Sequence, residues 1–201
     1  MIKVVVFDFG GVLVRTADAA GRREWEARLG LPDGELERVV HGSDLWIQAQ
    51  RGQLSPDEYW QGVARILNVT DIPALRRDYF RDDHLDPDLV ALIASLRRQG
   101  YKVGLLSNDA LSLEDKLRRE LNIYDAFDAV VISARIGVMK PDRAAYDAIA
   151  LALGVPLDAC VFIDDNLANV EGARRCGMKA IHYRAGMDVR AALDPILKGT
   201  S

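Results

Sequence analysis

Six residues in four short segments could do chemistry together. Asp8 ends the apolar run Val4-Val-Val-Phe7 and is followed by Gly10 and Gly11. Ser107 and Asn108 end Val103-Gly-Leu-Leu106, Lys140 stands before Pro141, and Asp164 and Asp165 end Val161-Phe-Ile163. A carboxylate can attack phosphorus and split one hard hydrolysis into two easier steps. Paired aspartates repel unless a cation compensates them. Magnesium is such a cation, because it binds through a few carboxylates and keeps several waters. Asp8, one of Asp164 and Asp165, and a backbone carbonyl near Gly10 would form its protein ligands. Ser107 and Asn108 can donate to phosphate oxygens beside a helix N-terminus. Lys140 can neutralise Asp8 and an incoming phosphate together.

Each segment also has a plainer role. Asp8 can cap the turn after its strand. Asp164, Asp165 or Asn166 can cap the helix that follows, as can Ser107 or Asn108, and a lone Lys140 is ordinarily a solvated surface residue. The plain readings compete singly. They weaken when the four segments are taken together, because phosphoryl transfer needs little beyond positioning and charge stabilisation.

The elements that must position these residues read as an α/β chain. Strands are expected at Lys3 to Phe9, Tyr101 to Ser107, Asp128 to Ser133, Cys160 to Asp164 and Met178 to Tyr183. Helices are expected from Asp86-Pro87 to Arg98, Leu111 to Leu121, Pro141 to Leu153 and Leu167 to Cys176. Proline at the first helical position would fix Lys140 reproducibly. Continuous apolar strands alternating with helices imply parallel βαβ units and hence a parallel sheet. Ligands of such sheets sit at the carboxyl ends of the strands, where the six residues would meet. Between about Thr16 and Leu85 the character changes. Trp25, Leu29, Leu36, Val39, Val40, Trp46, Tyr59, Trp60, Val63 and Leu67 recur at spacings near three and four, the mark of amphipathic helices. A capping box is expected at Ser55-Pro56 with Glu58. No strand is expected there. The division predicted is a core of residues 1–15 and 86–201 with a helical cap insertion at 16–85. Within the cap Trp46, Gln48, Gln50, Arg51, Tyr59 and Trp60 are candidate substrate-facing groups.

Composition narrows the partners. The 201 residues carry a formal charge of −4 with no long basic tract, which argues against nucleic acid. No apolar run reaches the roughly 20 residues needed to cross a bilayer, and the N-terminus lacks a signal-peptide cleavage region. The two cysteines, Cys160 and Cys176, fit a reduced cytoplasmic compartment and packing roles. His41, His84 and His182 are scattered without a partner motif. A small phosphorylated metabolite is the expected partner, to a monomer or homodimer, and the tail from Lys198 to Ser201 is expected to be mobile.

The motifs Asp8-Phe-Gly-Gly-Val, Ser107-Asn108, Lys140-Pro141 and Asp164-Asp165-Asn166, in this order, resemble those of the haloacid dehalogenase (HAD)-like hydrolase superfamily, within its phosphatase branch with a helical cap after the first strand. The resemblance runs from Val4 to about Tyr183; the cap matches only in position and helical character. It implies a Rossmann-like core, Mg²⁺ dependence and an aspartyl-phosphate on Asp8. Asp165 would then be the direct metal ligand and Asp164 would support the metal through water, with Asp8 and the Gly10 carbonyl completing the set.

One position departs from the pattern. Most phosphatases of this family carry an acid two residues after the nucleophile, where this chain has Gly10. It is similar to a subgroup reading Asp-x-Gly-(Gly/Asn)-Val, which includes bacterial sugar-phosphate phosphatases and relatives of the phosphatase domain of soluble epoxide hydrolases. Losing a general acid costs roughly 10²–10⁴ in rate, less when the leaving group is good. Phosphates of acidic alcohols (sugar 1-phosphates, acyl or aryl phosphates) are therefore the expected substrates. Asp109 and Asp18 are candidates to replace the missing acid. A metal-free dehalogenase and an inert binding module are the competing readings.

Overall fold

The computed structural model describes residues 1–199. Five parallel strands form the sheet: β1 (Val4–Phe7), β4 (Lys102–Ser107), β5 (Ala129–Ile132), β6 (Cys160–Asp164) and β7 (Lys179–His182), in the order β5-β4-β1-β6-β7. The chain fills one side of β1 and then crosses to the other, so β1, between β4 and β6, is the switch point where a crevice opens. Phe7 registers with Leu105 on one side and Ile163 on the other. Asp8 is thereby level with Leu106 and Asp164.

Strand side chains alternate between two apolar layers. Val5, Phe7, Leu105 and Ile163 pack on one face with Leu92, Ile93 and Leu96 of α6 (Pro87–Arg98) and Leu193 of α11 (Val189–Lys198). Val4, Val6, Leu106 and Phe162 pack on the other with Tyr146, Ile149 and Leu153 of α9 (Arg143–Leu153) and Ala173 of α10 (Leu167–Arg175). With both faces covered, every residue of β1 and β6 is buried, which is why these strands read as unbroken apolar runs.

Five helices lie between Thr16 and Asp83: α1 (Ala20–Leu29), α2 (Glu35–Val40), α3 (Asp44–Gln50), α4 (Pro56–Leu67) and α5 (Ile72–Tyr79). The expected capping box opens α4, with Ser55 and Glu58 bonding reciprocally. Trp25, Leu36, Val39, Val40, Tyr59, Trp60, Val63, Leu67, Leu75 and Tyr79 form a core of their own. The absence of strand over 16–85 is corrected: β2 (Val14–Thr16) pairs antiparallel with β3 (Asp83–Leu85). Each strand has only three residues, too short for a visible alternation. Thr16 Oγ1 donating to Asp83 at 2.7 Å and Arg15 reaching Asp86 at 2.5 Å hold the pair.

Three other boundaries moved. Pro141 does not open α9; Asp142 caps it, accepting from the Ala144 N–H, and the helix starts at Arg143. The helix expected over Leu111 to Leu121 is a short turn α7 (Leu113–Asp115) running into a wider π-helical turn, Lys116–Glu120. The strand expected to end at Ser133 ends at Ile132, and Ser133 begins α8 (Ser133–Ile136). Of the tail, Lys198 closes α11, while Thr200 and Ser201 lie outside the described residues. No helix among the described residues is long and apolar enough to cross a membrane.

A charged cluster ties α1, α2 and α5 together. Arg22 lies over the Tyr79 ring, 4.2 Å from its centroid, and pairs with Glu37 at 2.5 Å and Asp83 at 3.3 Å. Glu37 also accepts from the Tyr79 hydroxyl and lies 3.1 Å from His41 Nδ1. Burial pushes the Glu37 carboxyl up, but hydrogen bonds from His41 and Tyr79 and the charges of His41 and Arg22 outweigh it and hold the group at about 2. A depressed carboxylate stabilises the fold in full above its ordinary value of 4.5 and stops doing so as pH falls toward about 2. The side chain is 46% exposed, so screening limits the effect to about 1 kcal/mol or less. Glu37→Gln is expected to melt about 2–4 °C lower than wild type at pH 7, with the gap closing between pH 4.5 and 2; thermal melts of both proteins across that range check it.

Candidate active site

The loops leaving β1, β4 and β6 bring the predicted residues to one place. Asp8, Asp164 and Asp165 each offer a carboxylate oxygen within 4.8 Å of the others. Asp8 and Asp164 flank the ammonium of Lys140, at 2.8 and 2.7 Å. The third hydrogen of that ammonium goes to the Leu106 carbonyl at 2.9 Å. Lys140 is therefore fully committed within the protein, and it lies buried 5.1 Å above the Phe162 ring.

Lys140 is placed by Asn108 rather than by a helix start. Asn108 Nδ2 donates to the Lys140 carbonyl at 2.9 Å, and its Oδ1 accepts from the Lys140 N–H at 2.8 Å. The Asn108 side chain is thus a brace, and Ser107 lines the cavity beside it. Asp164 is wholly buried and accepts from the Asn166 N–H at 2.7 Å and from Asn169 Nδ2 at 3.1 and 3.2 Å. Asn166 caps α10, as one of the three polar residues was expected to do. Asp165 is exposed and stands over Gly11, where an added Cβ would lie 2.1 Å from its Oδ2. Gly11 also holds φ at +76°, a conformation glycine adopts without strain. Nothing lies within 4 Å of a Cβ built on Gly10, so the place of the missing acid is open space.

Three carboxylates against one ammonium leave a net charge of −2. Burial, opposed by Lys140 and reinforced by Asp164, pushes the Asp8 carboxyl up; burial and then Asp164 push Asp165 up. Lys140 is held above its ordinary value: burial alone would lower it, and Asp8 and Asp164 more than reverse that. A divalent cation on Asp8 and Asp165 would neutralise this excess. The oxygen-only donor set suits magnesium, so the residues present fit such an ion.

A cavity of about 1480 Å³ runs from this cluster to the five helices. Asp8, Gly10, Ser107, Asn108, Lys140 and Asp165 line it, while Asp164 lies behind them. Of the cap candidates Trp46, Gln50, Tyr59 and Trp60 line it; Gln48 and Arg51 do not. Asp109 lines it too, whereas Asp18 lies outside on the surface, paired with Arg23 at 2.6 Å. Burial pushes the Asp109 carboxyl up to about 6, against the Ala110 N–H and the charges of His41, Lys116 and Lys140.

The sequence reading missed Asn169, His41, Lys116 and Phe80. Asn169 follows the cap residue by three, one turn into α10, a spacing that could have been noticed. The others come from segments with no motif. Lys116 reaches Asp83 at 3.6 Å and lies 4.7 Å above the Phe80 ring, contacts that exist only through the tertiary fold.

A family model described as haloacid dehalogenase-like hydrolase matches residues 2–177. The chain belongs to this family. It is 36% identical over 186 residues to a phosphatase of Mycobacterium tuberculosis, covering 89% of this chain and 86% of that one. It is 27% identical over 182 residues to a sesquiterpene phosphatase of Aspergillus oryzae, covering 90% and 89%. A HAD family enzyme of Bacteroides thetaiotaomicron, solved in complex with magnesium and inorganic phosphate, superposes with a TM-score of 0.81 at 20% identity, covering 96% of this chain and 99% of that one. The parallel sheet and its flanking helices are the fold of these HAD-like enzymes.

Proposed function

We propose that the protein is a magnesium-dependent phosphatase of small phosphomonoesters, working through an aspartyl-phosphate on Asp8, with residues 16–85 acting as the cap. The convergence of Asp8, Asp165 and Lys140 at the head of one cavity carries this reading. The phosphatase relatives and the magnesium and phosphate held by a fold neighbour support it.

Asp8 Oδ attacks phosphorus and the bond to the ester oxygen breaks. Ser107 and the Asn108 N–H hold phosphoryl oxygens. Lys140 orients Asp8 and favours its ionised form against the effect of burial. Magnesium, held by Asp8, Asp165 and the Gly10 carbonyl with Asp164 behind, would offset the negative charge of the phosphoryl oxygens. Water then cleaves the aspartyl-phosphate and frees Asp8 and phosphate. The unpaired, reduced cysteines suit cytoplasmic work. In the test, phosphate release from an aryl phosphate is followed with magnesium, after chelation, and after magnesium is restored. Release should stop and return; undiminished release in chelator overturns the reading.

Asp109 is the acid this geometry offers in place of Gly10. One of its oxygens accepts from the Ala110 N–H at 2.7 Å, and the other has no hydrogen-bond partner among the described residues. Protonated, it would pass its proton to the departing alkoxide. Asp109→Asn is expected to slow an alkyl phosphate by about 10²-fold and an aryl phosphate, whose leaving group needs no proton, severalfold at most. Rates across leaving groups of graded pKa check it; equal losses on both classes would count against Asp109.

A further inference from the structure

We infer that the cavity over Asp8 accepts a phosphomonoester whose organic part is a hydrocarbon body, aromatic or aliphatic, rather than a polyhydroxylated one. The inference rests on the phosphatase reading and departs from the sugar 1-phosphates that the sequence resemblance favours.

The wall facing Asp8 is built of rings. His41 lies 4.7 Å from Trp46 and 6.2 Å from Phe80 between ring centroids, Trp46 lies 5.4 Å from Tyr59, and Trp60 lies 6.0 Å from Phe80. His41, Trp46 and Phe80 are only half-buried, so part of each ring meets the cavity. Ile72 and Phe80 lie two helical turns apart on one side of α5, with Arg76 midway between them. All three line the cavity, and the Arg76 stem can extend an apolar surface.

Many polar groups of this wall already have partners inside the protein. Tyr59 donates its hydroxyl to the Val40 carbonyl at 2.5 Å. His41 Nδ1 is 3.1 Å from Glu37 and 3.0 Å from the Tyr79 hydroxyl. Gln50 donates to the Asn108 carbonyl at 2.9 Å. Arg22 is held by Glu37 and Asp83, and Lys116 by Asp83. The lining residues Asp57, Gln61 and Glu120 make no such bonds but are exposed to solvent, and the half-buried Arg76 guanidinium is the main donor of the wall left without a partner among the described residues.

A polyol entering this space would give up water from several hydroxyls and find few partners, a net cost. A hydrocarbon loses nothing on leaving water and gains in proportion to the area covered. The volume of about 1480 Å³ exceeds that of ordinary small-ligand sites, so the body can be sizeable.

The test uses n-alkyl phosphates from methyl to octyl beside glycerol and hexitol phosphates, all esters of primary alcohols, so that leaving-group chemistry is nearly constant. Phosphate release gives kcat/KM. In parallel, tryptophan fluorescence of Asp8→Asn with magnesium gives Kd for the same compounds. Expected is a rise in kcat/KM of up to about fourfold per methylene until the wall is covered, a parallel fall in Kd, and hexyl phosphate preferred to hexitol phosphate in both. Trp46→Gln should flatten the series and Trp46→Phe preserve it, with melting temperatures confirming that both variants fold. A flat series, or hexitol phosphate preferred, overturns the inference while the phosphatase reading survives. Should no ester release phosphate, the phosphatase reading fails and the Kd series alone decides, with hexitol binding as tight as hexyl overturning the inference.

Discussion

Asp8→Asn is expected to lower phosphate release by about 10⁴–10⁶-fold, the scale seen when a covalent nucleophile is removed, and to leave the protein folded. Asparagine keeps the oxygen that accepts from the Phe9 N–H at 2.7 Å. It also removes one of two buried carboxylates competing for a single ammonium, while Lys140 retains Asp164 at 2.7 Å. The melting temperature should match or exceed that of wild type. Acid quenching of the wild type in turnover should trap a phosphorylated Asp8 peptide that the variant lacks. A variant with more than a tenth of wild-type turnover would show that another group makes the bond to phosphorus.

Lys140→Met is expected to damage both fold and turnover. It removes the charge between Asp8 and Asp164 and strips the Leu106 carbonyl of its donor. Breaking a buried ion pair from one side costs about 3–5 kcal/mol, which in a chain of this size lowers the melting temperature by roughly 10 °C. Phosphate release should fall below detection, because Asp8 would lose the charge that favours its ionised form and aims it. Adding Asp164→Asn to the variant should recover much of the melting temperature and none of the turnover. Full recovery of turnover would mean that Lys140 acts only as a packing group.

Both variants change residues that were legible in sequence. Asp8, Ser107, Asp164 and Asp165 stood out because buried parallel strands are apolar throughout, so a polar residue at a strand end is conspicuous; Lys140 stood out by the proline beside it. The sheet was readable for the same reason. Asn108 was visible, but its work was not: bracing Lys140 across a gap of 32 residues is a tertiary contact without a local signature. The same holds for Asn169 behind Asp164. Pro141 misled, since a proline beside a helix is usually its first residue, whereas Asp142 takes the cap here. β2 and β3 escaped notice because three residues cannot display an alternation. Asp109 and Asp18 looked equivalent in sequence, and only the path of the chain puts the first in the cavity and the second on the surface.

The short ribbon of β2 and β3 has an evolutionary consequence. The Ala17 N–H donates to the Asp82 carbonyl at 3.1 Å, so the helical excursion departs and returns through a single doorway. Replacing sixty-odd residues there by another length of chain changes the closure entropy only logarithmically, and it need not disturb β1, β4 or β6. Under the proposed function, reaction chemistry and substrate preference would in this sense be separately inherited. Selection can rewrite the aromatic wall while the carboxylates beneath it stay in register.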